Sequence, residues 1–195
     1  MNILNTDTLQ AAWRFAAERH RDQEYPGTGL PYLMHLGAVC LELYPALAAA
    51  PERDAVLALA CAVLHDTVED TGLTPGELAR FFGEAVARGV AALSKNPDLH
   101  GSEGMRDSLK RIREQPPEVW MVKMADRCAN LGKPPAHWDA EKCRSYADEG
   151  EIILEALGAA SPLLAARLAE RIRVWRQFPR ADCGRAGIGH EFWER

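Results

Sequence analysis

The stretch from about Glu52 to Leu64 constrains this chain more than any other. The spacing of Val56, Leu59, Ala60, Val63 and Leu64 predicts a helix there, and it is the most apolar of the chain, so it belongs at the centre of a core. It runs directly into His65-Asp66-Thr67-Val68-Glu69-Asp70, which puts one imidazole and three carboxylates at its end. Burying such a cluster is expensive without a cation. A fold built around this helix must therefore bring compensating groups to its C-terminal end.

Helical spacing recurs along the chain, alternating patterns are scarce and no internal repeat is found, which makes the fold class all-α. A first helix is expected from about Asp7 to Arg21, with Leu9, Trp13, Ala16 and Ala17 on one face, before a Gly/Pro-rich loop from Gln23 to Pro31. A second starts near Tyr32 and carries His35 in its first turn. Thr74-Pro75-Gly76-Glu77 combines a hydroxyl N-cap, a first-turn proline and a carboxylate three residues after the cap. That helix start leaves Asp70 to Leu73 as a connecting loop. Further helices are expected near Glu84 to Ser94, Ser102 to Glu114, Pro117 to Leu131, Ala140 to Leu157 and Pro162 to Gln177. Residues 1–178 then form a single domain, and 179–195 a tail without periodicity.

A chain of 195 residues can bury about 70% of its unfolded surface in one core. A net charge of −5 and the lack of a basic stripe argue against a nucleic-acid polymer as partner. Cys40, Cys61, Cys128, Cys143 and Cys183 are widely spaced and form no CxxC pair, so they read as reduced core thiols. No window approaches about 18 uninterrupted apolar residues, and the N-terminus lacks a basic region followed by an apolar stretch. The expectation is a cytoplasmic protein that does not enter a membrane. Phe81, Phe82, Trp120, Trp138 and Trp175 read as packing residues, and His20 as a cap or packing residue at the end of the first helix. His100, His137 and His190 receive no role, while Trp193 in the tail is a candidate homodimer contact.

Neighbouring helical residues point about 100° apart, so His65 and Asp66 converge on one ion only at the flank of their helix, and other segments must supply further ligands. His35, after a turn-like Gly/Pro run, and Asp126, a charge interrupting the mostly apolar 121–127 face, are the best candidates. Two imidazoles with two carboxylates suit Mn²⁺ first, with Fe²⁺, Zn²⁺ and Mg²⁺ as alternatives. Such an ion activates water and polarises a phosphoryl oxygen, which points to hydrolysis of a phosphate ester or anhydride. Glu69 and Asp70, just past the ligands, are placed to orient that water or carry its proton.

From about residue 10 to 178 the chain resembles the HD-superfamily hydrolase domain of RelA/SpoT-type alarmone enzymes, in particular the stand-alone small alarmone hydrolases. The landmarks are His20-Arg21-Asp22-Gln23, Gly29 to His35, Leu64 to Thr71, Phe82-Gly83, Leu93-Ser94-Lys95 and Val122 to Leu131. The resemblance implies an HD-domain helical bundle that removes pyrophosphate from the 3′ position of guanosine tetra- or pentaphosphate, or the adenosine equivalents, with Mn²⁺ and without a synthetase module. It carries His35, His65, Asp66 and Asp126 over as metal ligands and Glu69-Asp70 as the catalytic acidic pair. Asn130 matches a nucleotide-contacting asparagine, and Lys95, Lys142 and Tyr146 match positions near the substrate phosphates.

One departure matters. Where related enzymes place an Arg-Lys pair that grips the nucleotide, this chain reads Glu24-Tyr25-Pro26-Gly27-Thr28-Gly29-Leu30. In its place Tyr25 is a candidate to stack on a base, and Arg21, Lys95, Lys123 or Arg127 to neutralise phosphate, each with a solvated surface role as the alternative. The departure leaves open an HD phosphohydrolase acting on another nucleotide or phosphomonoester. A non-catalytic nucleotide sensor is a further alternative, but it has no physical need for Glu69 and Asp70.

Overall fold

The computed structural model describes residues 5–132, 134–135 and 137–177. Helix α1 (Thr6–Arg19) leads into a short antiparallel hairpin, β1 (Glu24–Tyr25) with β2 (Leu30–Pro31), in which Tyr25 faces Leu30. Then follow α2 (Leu33–Ala48), α3 (Ala55–Leu64), the one-turn α4 (Thr67–Thr71), α5 (Pro75–Leu93) and α6 (Gly101–Arg113). The chain continues through α7 (Pro117–Asn130), α8 (Ala140–Leu157), a 3₁₀ turn (Gly158–Ala160) and α9 (Pro162–Gln177).

Helix α3 is the apolar segment, and it has almost no face to give to solvent: Ala58 and Ala60 to Leu64 are all buried. Helices α1, α2, α5 and α7 pack around it, so the most hydrophobic element is the axis of the bundle. Its start is fixed by Asp54, whose carboxylate accepts from the N–H groups of Val56 and Leu57 at 3.1 and 3.0 Å. The Asp54 N–H in turn donates to Glu118 of α7 at 3.1 Å, which ties the two central helices together. Close packing of α5 onto both depends on Gly89, where a Cβ would lie 2.7 Å from Cys61 Sγ and 3.1 Å from Val119 Cγ2. On the other side of the bundle Glu42 of α2 accepts from Arg167 and Arg171 of α9 at 2.8 to 2.9 Å.

The all-α expectation holds, with two local corrections. Asp70 to Leu73 is not all loop, because α4 runs from Thr67 to Thr71 and stops at Gly72, whose φ of 70° only glycine adopts freely. The capping box at Thr74 is present, and the helix it starts breaks at Gly83 (φ 82°, ψ 164°), so the stretch from Glu84 to Leu93 is a second helix, as expected. The Gln23 to Pro31 loop contains the two-residue strands. Among the aromatics read as packing residues, Trp175 is buried and Phe82 and Trp120 are half-buried, whereas Phe81 is 63% exposed and leans on Phe15 at the surface. Cys40, Cys61 and Cys128 are free thiols. Among the described residues no helix is long and apolar enough to cross a membrane. Cys183, His190, Trp193 with its homodimer contact, and the rest of the tail from residue 178 lie outside the described residues.

Candidate metal centre and active site

Four elements bring four side chains together: the ligand atoms of His35, His65 and Asp126 all lie within 4.8 Å of one another, and Asp66 joins them beside His65. His35 comes from the first turn of α2, His65 caps the C-terminus of α3, Asp66 starts α4 and Asp126 lies in α7. His35 Nε2 is 3.3 Å from His65 Nε2, 3.6 Å from Asp66 Oδ2 and 3.5 Å from Asp126 Oδ1. His65 Nε2 is 2.8 Å from Asp66 Oδ2 and 3.8 Å from Asp126 Oδ1. His35, His65 and Asp126 are buried, and Asp66 retains slight exposure toward the cleft above.

These contacts meet the demands of a bound cation. Donors held about 2.1 Å from one ion sit roughly 3.0 to 3.4 Å apart, and the distances here bracket that range. The Nδ1 of His65 donates to the carbonyl of Ala62 at 2.8 Å, which leaves Nε2 to present its lone pair to the point of convergence. His35 Nδ1 is buried without a hydrogen-bond partner among the described residues. Two imidazole nitrogens facing each other at hydrogen-bond distance, with carboxylates on either side, call for positive charge between them. Burial works against charge on His65, but Asp66 and then Asp126 outweigh it and raise its pKa to about 9. Burial likewise opposes ionisation of the two aspartates. Even so, His65 and the hydrogen bonds from His35, His65 and Tyr32 hold Asp66 well below its ordinary value, and Lys123, His65 and His35 lower Asp126.

A second ring of side chains orients the first. The hydroxyl of Tyr32 donates to Asp66 Oδ2. Lys123 Nζ donates to Asp126 Oδ2 at 3.1 Å, and Asn130 Nδ2 donates to Asp126 Oδ1 at 2.6 Å. Burial and the nearby Asp66 carboxylate raise the Tyr32 pKa, which keeps the phenol a donor at any ordinary pH. Tyr32 escaped sequence reasoning, although it stands three residues before His35, as Lys123 stands three before Asp126.

The cluster forms the floor of a cleft of about 540 Å³. Glu69 and Asp70 stand on α4 at its edge. Glu69 is clamped from two sides, by the ammonium of Lys95 and by the Lys95 backbone N–H, both at 2.8 Å. Burial would lower the Lys95 pKa, but the paired Glu69 raises it. Lys142 and Tyr146 line the far wall with Trp138, whose ring lies 5.4 Å from Lys142 Nζ. Trp138, read from sequence as packing, therefore also faces the cleft.

Other candidates are placed differently. Arg21 does not line the cleft: it borders a separate groove with Arg19, Asp22 and Gln23, on the other side of Asp70. Arg127 is neither a solvated surface residue nor a free cation, because it is buried, donates to Glu149 at 3.1 Å and stacks 3.9 Å over Tyr146. Tyr25 packs its ring 5.4 Å from that of His35. His20 caps α1, as expected.

The fold and the four-residue cluster define a class. The chain belongs to the HD domain family, whose model matches residues 12–163. Within that family its curated relatives are narrower in kind. Guanosine-3′,5′-bis(diphosphate) 3′-pyrophosphohydrolase MESH1 of Danio rerio is 30% identical over 174 residues, spanning 86% of this chain and 94% of the relative. The protein of the same name from Homo sapiens is 31% identical over 144 residues, spanning 71% and 77%. A solved structure of a metazoan ortholog of SpoT that hydrolyzes ppGpp superposes with a TM-score of 0.73, covering 88% of this chain and 97% of that one at 22% identity.

Proposed function

We propose that this protein is a metal-dependent phosphohydrolase that removes the 3′-pyrophosphate of a (p)ppGpp-type purine nucleotide, releasing pyrophosphate and GDP or GTP, or the adenosine equivalents. The observation that carries the reading is the convergence of His35, His65, Asp66 and Asp126 at the floor of a cleft bordered by Glu69, Asp70, Lys95 and Lys142. Relatives that match 86% and 71% of the chain and are named for this reaction support it. The hydrolase unit is residues 1–178, with 179–195 appended.

His35, His65, Asp66 and Asp126 would hold one divalent cation, and Mn²⁺ suits their mixed nitrogen and oxygen set best. When bound, it supplies a Lewis acid that polarises a phosphoryl oxygen and lowers the pKa of water. The chain's own residues do the rest. Lys95 and Lys142 offer charge to the phosphates at the cleft rim, and Asn130 both faces the cleft and steadies Asp126. Asp70 takes the proton of the attacking water. A phosphate that draws the Lys95 ammonium away from Glu69 frees that carboxylate to share the transfer. Tyr25 shields the His35 ring from bulk water.

One observation favours a second reading. The hairpin that carries Tyr25 offers no cation in place of the Arg-Lys pair, which suits an HD phosphohydrolase acting on another nucleotide or phosphomonoester. Ion-exchange analysis of products after incubation with Mn²⁺ separates the readings. Pyrophosphate released from guanosine or adenosine 3′-pyrophosphates alone is the expected result. Phosphate released from ordinary nucleotides would transfer the assignment to the second reading, and no turnover with any divalent metal would leave a nucleotide sensor.

A further inference from the structure

The motif His20-Arg21-Asp22-Gln23 has no part in the chemistry above, yet it reaches the site. His20 is 1% exposed, and its Nδ1 lies 2.7 Å from Gln23 Oε1. At the other end of the same amide, Gln23 Nε2 donates to Asp70 Oδ2 at 2.8 Å. A carboxylate only accepts, so the amide nitrogen must face Asp70, the amide oxygen must face His20, and the imidazole must donate from Nδ1. A second observation selects the same tautomer. His20 Nε2 is buried without a partner among the described residues, which a lone pair tolerates far better than an N–H.

The backbone holds Gln23, the middle of this chain of bonds, from both sides. Gln23 N–H donates to the His20 carbonyl at 3.1 Å, and Tyr32 N–H donates to the Gln23 carbonyl at 3.0 Å. The His20 ring rests 4.9 Å from the ring of Tyr32, whose hydroxyl holds Asp66. Asp70 needs such support. It is exposed, stands on a one-turn helix and, unlike Glu69, has no ion pair among the described residues.

We propose that His20 and Gln23 are positioning residues that hold Asp70 Oδ2, fix the carboxylate rotamer and leave Oδ1 as the oxygen that exchanges a proton in the cleft. The proposal rests on the reading of Asp70 as the proton carrier. A proton carrier must stay within hydrogen-bond reach of its target, and a misplacement of about 1 Å can cost as much as 10²-fold in rate.

The test uses the full chain loaded with Mn²⁺ and guanosine 3′,5′-bis(diphosphate) as substrate, with kcat, KM, bound metal and Tm read for each variant. Gln23→Met matches the glutamine in length and cannot bridge, while His20→Phe keeps a ring against Tyr32 but has no donor. Each is expected to lower kcat roughly 10- to 100-fold with KM and bound metal unchanged. His20→Asn, which keeps an N–H near the position of Nδ1, restores most of the rate. In an Asp70→Ala background Gln23→Met has no further effect, because its influence passes through Asp70. Full kcat in Gln23→Met overturns the proposal, as does the same fold-loss in the Asp70→Ala background, or a loss that appears in KM or metal content instead. Asp70→Ala at full kcat is a different failure: it removes the reading of Asp70 and the relay with it, whereas full kcat in Gln23→Met alone removes only the relay. Should His20→Phe fail to fold, the partly exposed Gln23 carries the test.

Discussion

Replacing Asp126 with asparagine separates a cation ligand from a merely structural carboxylate. The side chain keeps its volume and loses one of the two negative charges that face His35 and His65. In the wild-type protein, a divalent cation at about 100 times its Kd stabilises the fold by roughly 2.7 kcal/mol. For a chain of this size that is a rise in Tm of about 5 to 11 °C. A unit charge pair about 4 Å apart contributes roughly 4 kcal/mol at an effective dielectric near 20, so removing the carboxylate weakens cation binding by about 10³-fold. At the same cation concentration the ratio to Kd falls from about 100 to about 0.1, and the stabilisation to under about 0.1 kcal/mol. The expected outcome of thermal melts with and without Mn²⁺ is therefore a shift that all but disappears in Asp126→Asn. Lys123 and Asn130 both donate to Asp126, so the cation-free variant starts from a lower Tm, and each protein is compared with its own chelator-treated baseline. A full cation shift at an unchanged midpoint concentration would refute the assignment of Asp126 as a ligand.

Tyr32→Phe removes the hydroxyl that orients Asp66 and is expected to weaken cation affinity roughly 10- to 100-fold, measured by titration calorimetry, while leaving the fold intact. Glu69→Gln keeps the Lys95 backbone contact but cannot carry a proton, so kcat should fall with bound metal unchanged, as read by elemental analysis beside steady-state kinetics. Burial would raise the Glu42 pKa, but the hydrogen bonds from Arg167 and then Arg171 outweigh it and hold the carboxyl below its ordinary value. A depressed folded-state pKa contributes stability above the unfolded value, near about 4.3, and that contribution is lost as pH falls through the folded one. The stability gap between wild type and Glu42→Gln in urea should therefore be largest near neutrality and close on acidification below about pH 4. A gap that does not change with pH would refute the clamp between α2 and α9.

What could be read from the sequence was whatever a local signal dictates. The capping box at Thr74, the proline at the start of α9 and the polar interruption that Asp126 makes in α7 each act within a turn or two of themselves, and each was legible. His35, His65, Asp66 and Asp126 stood out for the same reason, because a charge at the end or in the middle of an apolar face has no cheap explanation inside one helix. The short α4 left no such trace. Five residues carry no periodicity, and the turn exists because Thr67 Oγ1 donates to the Leu64 carbonyl that ends α3, and because Gly72 then turns the chain away. The break at Gly83 was legible by contrast, because the chain turns there through a positive φ of 82° that glycine adopts freely. Side chains that act through another residue are the least visible of all. Nothing near Gln23 in the chain announces Asp70, which lies 47 positions away and meets it only once α1 has packed beside α4. A cation site whose ligands interrupt apolar faces can be proposed from one sequence, whereas the groups that aim those ligands and their proton carriers need the folded chain.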